Sequence, residues 1–183
     1  MTEQEKMIAG EPYDPQDETL VRGRAWAKMM CEEYHCIPAE EKEARAEFIK
    51  GIFARTGECL NVENHFWCDY GYNIEVGENF YVNHDCVFLD CAKITFGDNV
   101  FIAPQCGFYT AGHPLEADLR RKGIEYAKPI TVGSDVWIGG GVKVMPGVTI
   151  GDNVVIGGGS VVVNDIPSNS LAVGNPAKVV RKL

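Results

Sequence analysis

A six-residue beat limits what this chain can fold into. Val132, Ile138, Val144, Ile150, Ile156 and Val162 stand six apart, with Gly following at Gly133, Gly139, Gly151 and Gly157. Val136, Val142, Val148, Val154 and Ser160 hold the position four after the aliphatic residue. A weaker form precedes it: Tyr70, Val76 and Val82 in phase, a disturbed stretch from Phe88 to Ile94, then Phe96, Ile102 and Phe108. An antiparallel sandwich would alternate with a period of two and space its strands roughly 8–12 residues apart, so the fixed period of six excludes it. The period predicts a mainly β chain wound as a parallel β-helix, each hexad making one short strand and one turn. Aliphatic residues stack inward, and Asp98-Asn99 and Asp152-Asn153 take the tight turns. No coil can bury its own face, so stacking is the source of stability.

Between Phe108 and Ile130 the beat stops. Residues 109–129 carry Gly112, Pro114, a charged run and Pro129, with no inward aliphatics at the required spacing. That segment must leave the coil, and a long excursion from a rigid repeat usually carries function. The chain has four histidines, His35, His65, His84 and His113, and His113 sits in the excursion. Residues 1–57 have a different texture. From Asp17, an N-cap, to about Tyr34, the apolar positions Leu20, Ala27, Met30 and Tyr34 recur at helical spacing. A second helix is expected from near Pro38, with Ala44, Phe48 and Ile52 on one stripe, Ile49 and Phe53 beside it, and Gly57 ending it. The expected organisation is therefore a helical segment over 1–57, packed on a repeat array over 58–183 that ends in a basic tail.

Seventeen basic residues against 26 acidic ones give a net charge of -9, which argues against nucleic-acid binding through overall charge. The longest apolar runs, such as Ser160 to Val163, fall far short of the roughly 20 residues that span a bilayer. The opening MTEQEKMIAGEPYD is polar, and the expectation is a cytoplasmic protein. Seven cysteines (Cys31, Cys36, Cys59, Cys68, Cys86, Cys91, Cys106), an odd number without a Cys-x-x-Cys pair, read as reduced and mostly buried thiols. A neutral imidazole, with a pKa of about 6.5 when unperturbed, accepts a proton at cellular pH. His113 is thus either a base or a surface-loop histidine. Glu125, twelve residues on, either orients the ring or is solvated.

The hexad array, Thr110-Ala111-Gly112-His113-Pro114-Leu115, the stretch from Pro129 to Gly133, Val136-Trp137-Ile138-Gly139-Gly140, and Gly174-Asn175-Pro176-Ala177 together resemble the hexapeptide-repeat acetyltransferases. Within that superfamily, the run from Glu5 to Glu11, Asp17-Glu18-Thr19-Leu20, and the run from Cys68 to Ile74 are similar to the maltose and galactoside O-acetyltransferases. The resemblance covers essentially the whole chain. It implies a left-handed β-helix assembled as a homotrimer with active sites between subunits, and transfer of acetyl from acetyl-CoA to a sugar hydroxyl by direct attack. Handedness comes from the resemblance alone, because the general preference for right-handed crossovers points the other way.

The resemblance also implies roles. His113 matches the catalytic histidine, which takes the hydroxyl proton during attack on the thioester. A backbone N–H such as that of Gly140 is a candidate donor to the oxyanion. Asn83 matches a residue near the histidine and the acceptor. Asp69 occupies an acceptor-contact position. Cys91, preceded by Asp90, stands where some members carry an acidic acceptor ligand. Asp14 and Asp17 are rivals for another acceptor contact, Asp14 ranked first. Gly140, Gly158, Val163, Asn164, Lys178 and Arg181 fall at cofactor positions, with Val163-Asn164 replacing the Thr-Lys of several members. The basic tail suits phosphate contact. Trp137 either stacks with the cofactor or plugs the coil.

Other readings stay in view. A drug or amino-acid acceptor is the alternative within the acetyltransferases. A zinc carbonic anhydrase of the same architecture needs three histidine ligands, and His65, His84 and His113 lack a close pair. The expectation is no metal. A non-enzymatic trimerisation module is the third alternative, and it gives no reason for the excursion.

Overall fold

A computed structural model describes all residues, 1–183. The repeat region winds as a parallel β-helix with three faces. The first face stacks Leu60–Val62, Phe80–Val82, Val100–Ile102, Val136–Ile138, Val154–Ile156 and Ser170–Gly174. The second stacks Trp67–Cys68, Val87–Leu89, Gly107–Tyr109, Lys143–Val144 and Val161–Val162. The third stacks Ile74–Glu75, Ile94–Phe96, Ile130–Val132 and Thr149–Ile150. Ala177–Lys182 turns back antiparallel on Ser170–Gly174 and closes the C-terminal end.

The inward stack follows the beat: Val132, Ile138, Val144, Ile150, Ile156 and Val162 are all fully buried. Whereas in Val87–Leu89 the middle residue, Phe88, is the buried one, in the three-residue strands of the first and third faces the outer two residues are buried and the middle one is turned outward. This accounts for the second apolar position four after the first. Asn99 and Asn153 adopt positive φ at the expected turns. Gly139 is required by close approach, since a Cβ there would lie 2.6 Å from the Gly158 amide nitrogen in the next coil.

The disturbed phase has a simple origin. Strand partners in the last coils are 18 residues apart, as with Thr131 and Thr149, but 20 apart in the first ones, as with Leu60 and Phe80 or Val87 and Gly107. Both extra residues sit at the corner between the second and third faces, at 69–73 and again at 90–93. The 20-residue coils are filled by rings: Phe66, Phe88 and Phe108 pack edge to face in a column, with centroids 5.1 and 4.9 Å apart. Phe96 lies against Phe88 and Phe108. The 18-residue coils are filled by Val and Ile. A larger cross-section takes the larger side chain, as close packing demands.

Tyr70 departs from its expected inward place. It keeps the six-residue phase but falls on the enlarged corner, where it is buried outside the coil among Met7, Tyr13, Leu20, Cys91, Ala92 and Ala127.

Three helices precede the coils; the second and third pack on the first strands, and the first packs on the second and on the hairpin strand Tyr126–Ala127. α1 (Glu3–Ala9), not foreseen in the sequence, opens with a capping box of Thr2 and Glu5. α2 (Glu18–His35) is capped by Asp17 as expected and buries Leu20, Ala27, Cys31 and Tyr34, with Cys31 in the place expected for Met30. α3 spans Lys42–Lys50. It starts later than Pro38, because residues 38–41 form a turn closed by Glu41 N–H on the Pro38 carbonyl. It also ends earlier than Gly57. Gly57 instead packs against the coil, where a Cβ would lie 2.7 Å from the Gly77 carbonyl oxygen. Ala44 is exposed, and the inward face carries Arg45 and Ile49. Arg45 stacks on the Tyr34 ring at 4.3 Å and donates to the Tyr34 hydroxyl and to the Ile37 and Val62 carbonyls. All seven cysteines are free thiols; five are buried, while Cys36 and Cys59 are exposed. No helix is long and apolar enough to cross a membrane.

Stacking as the source of stability makes a quantitative prediction. Ile150→Ala, at a fully buried inward position, should cost about 2–5 kcal/mol in denaturant unfolding, whereas Thr131→Ala on the outward side should change stability by less than about 0.5 kcal/mol. Equal effects at the two positions would refute the stacking account.

Candidate active site

The enlarged corner between the second and third faces builds the site. The first long coil leaves it at Asp69, the second at Asp90-Cys91, and the third extends into the whole excursion. That excursion is a hairpin: Ala111–Gly112 pairs antiparallel with Tyr126–Ala127, and α4 (Ala117–Arg121) sits near its tip. Tyr13 and Glu125 exchange two backbone hydrogen bonds of 2.9 and 3.1 Å, so the N-terminal segment is tied to the hairpin.

Asp90 holds the corner together. It is fully buried, and its two oxygens accept backbone N–H groups from Asp69, Tyr70, Gly71 and Asn73 at 2.7–3.4 Å. Burial pushes its carboxyl up to about 6, against the pull of those donors. Asp90 therefore faces the backbone and does not stand in for the acidic acceptor ligand missing at Cys91.

Outside that corner lies a cleft of about 500 Å³ lined by Pro15, Gln16, Arg24, Lys28, Asp69, Leu89, Cys91, Ala111, Gly112, His113 and Glu125. His113 is half exposed. Its Nδ1 lies 3.0 Å from the Ile124 carbonyl oxygen. A carbonyl can only accept, so Nδ1 carries the hydrogen and Nε2 of the neutral ring keeps its lone pair. The ring is thus oriented by Ile124, not by Glu125. The Glu125 carboxylate lies beside the other nitrogen, with Oε1 3.8 Å from Nε2, and its Oε2 accepts the Tyr13 hydroxyl at 2.7 Å. The Cys91 thiol donates to Asp69 Oδ2 at 3.5 Å. Burial raises both groups above their ordinary values, which keeps Cys91 a neutral thiol.

The structure brings together four expected site residues, Asp69, Cys91, His113 and Glu125. The others lie elsewhere. Asp17 is spent as the α2 cap, and Asp14 is an exposed turn residue whose carboxylate accepts the Gln16 N–H. Neither lines the cleft. Asn83, Gly140 and Gly158 belong to a different corner, between the first and second faces. Asn83 accepts the His84 N–H there. Gly140 and Gly158 are exposed one coil apart, and their N–H groups donate to nothing within the chain. Trp137 does not plug the coil: it is 55% exposed and stands in register with Phe101 on the outer side of the first face. Val163, Asn164, Lys178 and Arg181 are exposed, and the two basic residues form no ion pair within the chain.

Arg24 and Lys28, one turn apart on α2, were missed in the sequence. A signal was available for Arg24, which interrupts the stripe of Leu20, Ala27 and Cys31 that packs inward, but not for Lys28, which is exposed beside it. Arg24 donates to the Tyr70 hydroxyl at 2.8 Å and to the Pro15 carbonyl. His65 and His84 do not join His113; His65 pairs with Asp85 at 3.0 Å. No group of three His, Cys, Asp or Glu side chains is placed to hold a metal ion.

Residues 6–57 match the maltose acetyltransferase hexapeptide capping motif, and residues 129–164 match the bacterial transferase hexapeptide of six repeats. A Staphylococcus aureus protein named as an acetyltransferase is 52% identical over 184 residues, covering all of this chain and 92% of its own length. This chain belongs to the hexapeptide-repeat acetyltransferase family. A Saccharomyces cerevisiae member, also named as an acetyltransferase, is 47% identical over 180 residues, covering 98% of this chain and 92% of itself. Among solved members, a maltose O-acetyltransferase from Clostridium difficile 630 superposes with a TM-score of 0.98 at 52% identity, over 100% of this chain and 98% of that one. A galactoside acetyltransferase in complex with coenzyme A gives 0.95 at 42% identity, over 100% and 91%.

If Asp90 fixes the corner, Asp90→Asn places an amide against N–H donors and should lower stability at pH 8 by about 1–3 kcal/mol. The check is the guanidinium unfolding midpoint, and an unchanged midpoint would show that the corner is held by other contacts.

Proposed function

We propose that this protein transfers acetyl from acetyl-CoA to a hydroxyl of a sugar of the maltose, glucose or galactoside type, with His113 as general base. The observation that carries the reading is the His113 ring itself: Nδ1 is tethered to Ile124 and Nε2 is left as an acceptor at a polar cleft. A hydroxyl bound there gives its proton to Nε2 as its oxygen bonds to the acetyl carbon. The carbon–sulfur bond breaks, and the imidazolium returns the proton to the departing thiolate. The cleft lining, with Asp69, Glu125, Arg24, Lys28, Gln16 and the Cys91 thiol, suits a ligand rich in hydroxyls.

The solved relatives with coenzyme A or acetyl-CoA bound support acetyl-CoA as donor. The exposed, unpaired N–H groups of Gly140 and Gly158 fit a long ligand bearing amides, and one of them fits the oxyanion. Lys178 and Arg181, on a chain of net charge -9, are free to meet its phosphates. Trp137, Val163 and Asn164 remain candidates along the same ligand. Because Asn83, Gly140 and Gly158 lie at another corner from His113, the proposed site needs two copies of the chain, as in a homotrimer. Each cleft would be completed by Asn83 and the glycine amides of a neighbouring subunit.

His113→Ala should lower turnover by about 10²–10⁴-fold while acetyl-CoA still raises the melting temperature. The assay is thiol release with maltose, glucose, galactosides, serine and chloramphenicol. Unchanged turnover would remove His113 from the mechanism. Preference for serine or chloramphenicol would move the acceptor to the amino-acid or drug class, and absence of any acetyl-CoA effect would favour the non-enzymatic module. The shared site has its own test. Co-assembling His113→Ala with Asn83→Ala subunits should restore activity toward about a quarter of the wild-type value, since random mixing leaves that fraction of sites intact. No recovery would place both residues in one subunit's site.

A further inference from the structure

His113 Nε2 and Glu125 Oε1 lie side by side in the cleft, 3.8 Å apart, beyond hydrogen-bonding distance of each other. The other polar atom of each side chain is already engaged: His113 Nδ1 donates to the Ile124 carbonyl at 3.0 Å, and Glu125 Oε2 accepts the Tyr13 hydroxyl at 2.7 Å. A neutral Nε2 and a carboxylate oxygen are both acceptors. The cleft therefore presents two adjacent acceptors with no donor between them. Neither is free to turn away. Tyr13 is 1% exposed, and it holds Glu125 through two backbone hydrogen bonds as well as its hydroxyl.

Two acceptors at that spacing call for a ligand with two neighbouring donors. Hydrogen bonds of about 2.8 Å from atoms 3.8 Å apart reach two oxygens at a comparable separation. Hydroxyls on adjacent ring carbons, or in a close 1,3 relation, stand at such a separation. We infer that Glu125 Oε1 receives a second hydroxyl of the acceptor, beside the one that His113 deprotonates, so the acceptor class is a polyol with paired hydroxyls. Glu125 determines specificity by contact, and Tyr13 is a positioning residue that fixes which carboxylate oxygen faces the cleft. This inference rests on the reading of His113 as the base toward a sugar hydroxyl.

The same carboxylate also favours the imidazolium after proton transfer, and the test must separate the two roles. The probes are glucose and its 2-, 3-, 4- and 6-deoxy analogues with acetyl-CoA, compared by kcat/KM in wild type, Glu125→Met and Tyr13→Phe. The inert analogue marks the attacked hydroxyl. In wild type one further analogue should fall about 10–100-fold below glucose, the size expected for a lost hydrogen bond to a charged group. In Glu125→Met, which keeps the side-chain length without an acceptor, that gap should close. In Tyr13→Phe it should shrink, with the glucose rate less affected than in Glu125→Met. The inference is overturned if no second deoxy position matters in wild type, if the gap persists in Glu125→Met, or if that variant slows every acceptor by one common factor. The last outcome would assign Glu125 to the imidazolium alone. Transfer to no sugar at all would overturn the sugar reading and this inference together, whereas transfer without the paired-hydroxyl penalty overturns only the inference.

Discussion

Each coil of this protein has an apolar inner edge that only the coils above and below can cover, and the rest of the molecule follows from that dependence. A strand of two or three residues has no stability alone, but Val132 on Phe96 and Ile150, or Ile138 on Ile102 and Ile156, form continuous columns in strict register. Any insertion must leave the columns aligned, so it has to be confined to a corner. The insertions occur at one corner, between the second and third faces. There, two extra residues in each early coil and the hairpin of the later one protrude beside each other.

That corner sets charged and polar groups on a rigid frame. Asp90 takes the backbone amides of the widened turn, so Asp69 and Cys91 point outward without leaving buried N–H groups unpaired. The hairpin brings His113 and Glu125 to the same place. α2 and α3 cover the end of the stack; α2 contributes Arg24 and Lys28 to the cleft wall, and Tyr13, in the segment between α1 and α2, holds Glu125. Cover for the first coil and a wall for the cleft are thus one packing solution. This is why the helical segment is more than an appendage to the repeat.

Much of this was legible in the chain. The period of six led directly to the inward stack, the loss of period located the hairpin, and His113 could be singled out within it. The motifs around it carried the family. Other features were hidden for physical reasons. Tyr70 keeps the beat yet lies outside the coil, because a corner two residues longer shifts the phase without changing residue type. Nothing in the sequence marks Arg45 as buried, since its guanidinium is satisfied by the Tyr34 ring and three oxygens that only the packing brings to it. Gly57 read as a helix stop, whereas its lack of a side chain serves contact with the neighbouring coil. Glu125 was noticed, but which of its oxygens faces His113 depends on Tyr13, more than a hundred residues away in the chain.

By itself the sequence determined the architecture, because inward stacking depends on the spacing and apolar character of residues near in the chain, and both can be read from the order of amino acids. It also determined where that architecture is interrupted. The tertiary structure alone decided which side chains share the cleft, which His113 nitrogen is tethered, and that Asn83 and the exposed glycine amides lie at another corner. These are outcomes of how distant segments pack, and the strength and direction of a hydrogen bond depend on positions in space that no local pattern encodes.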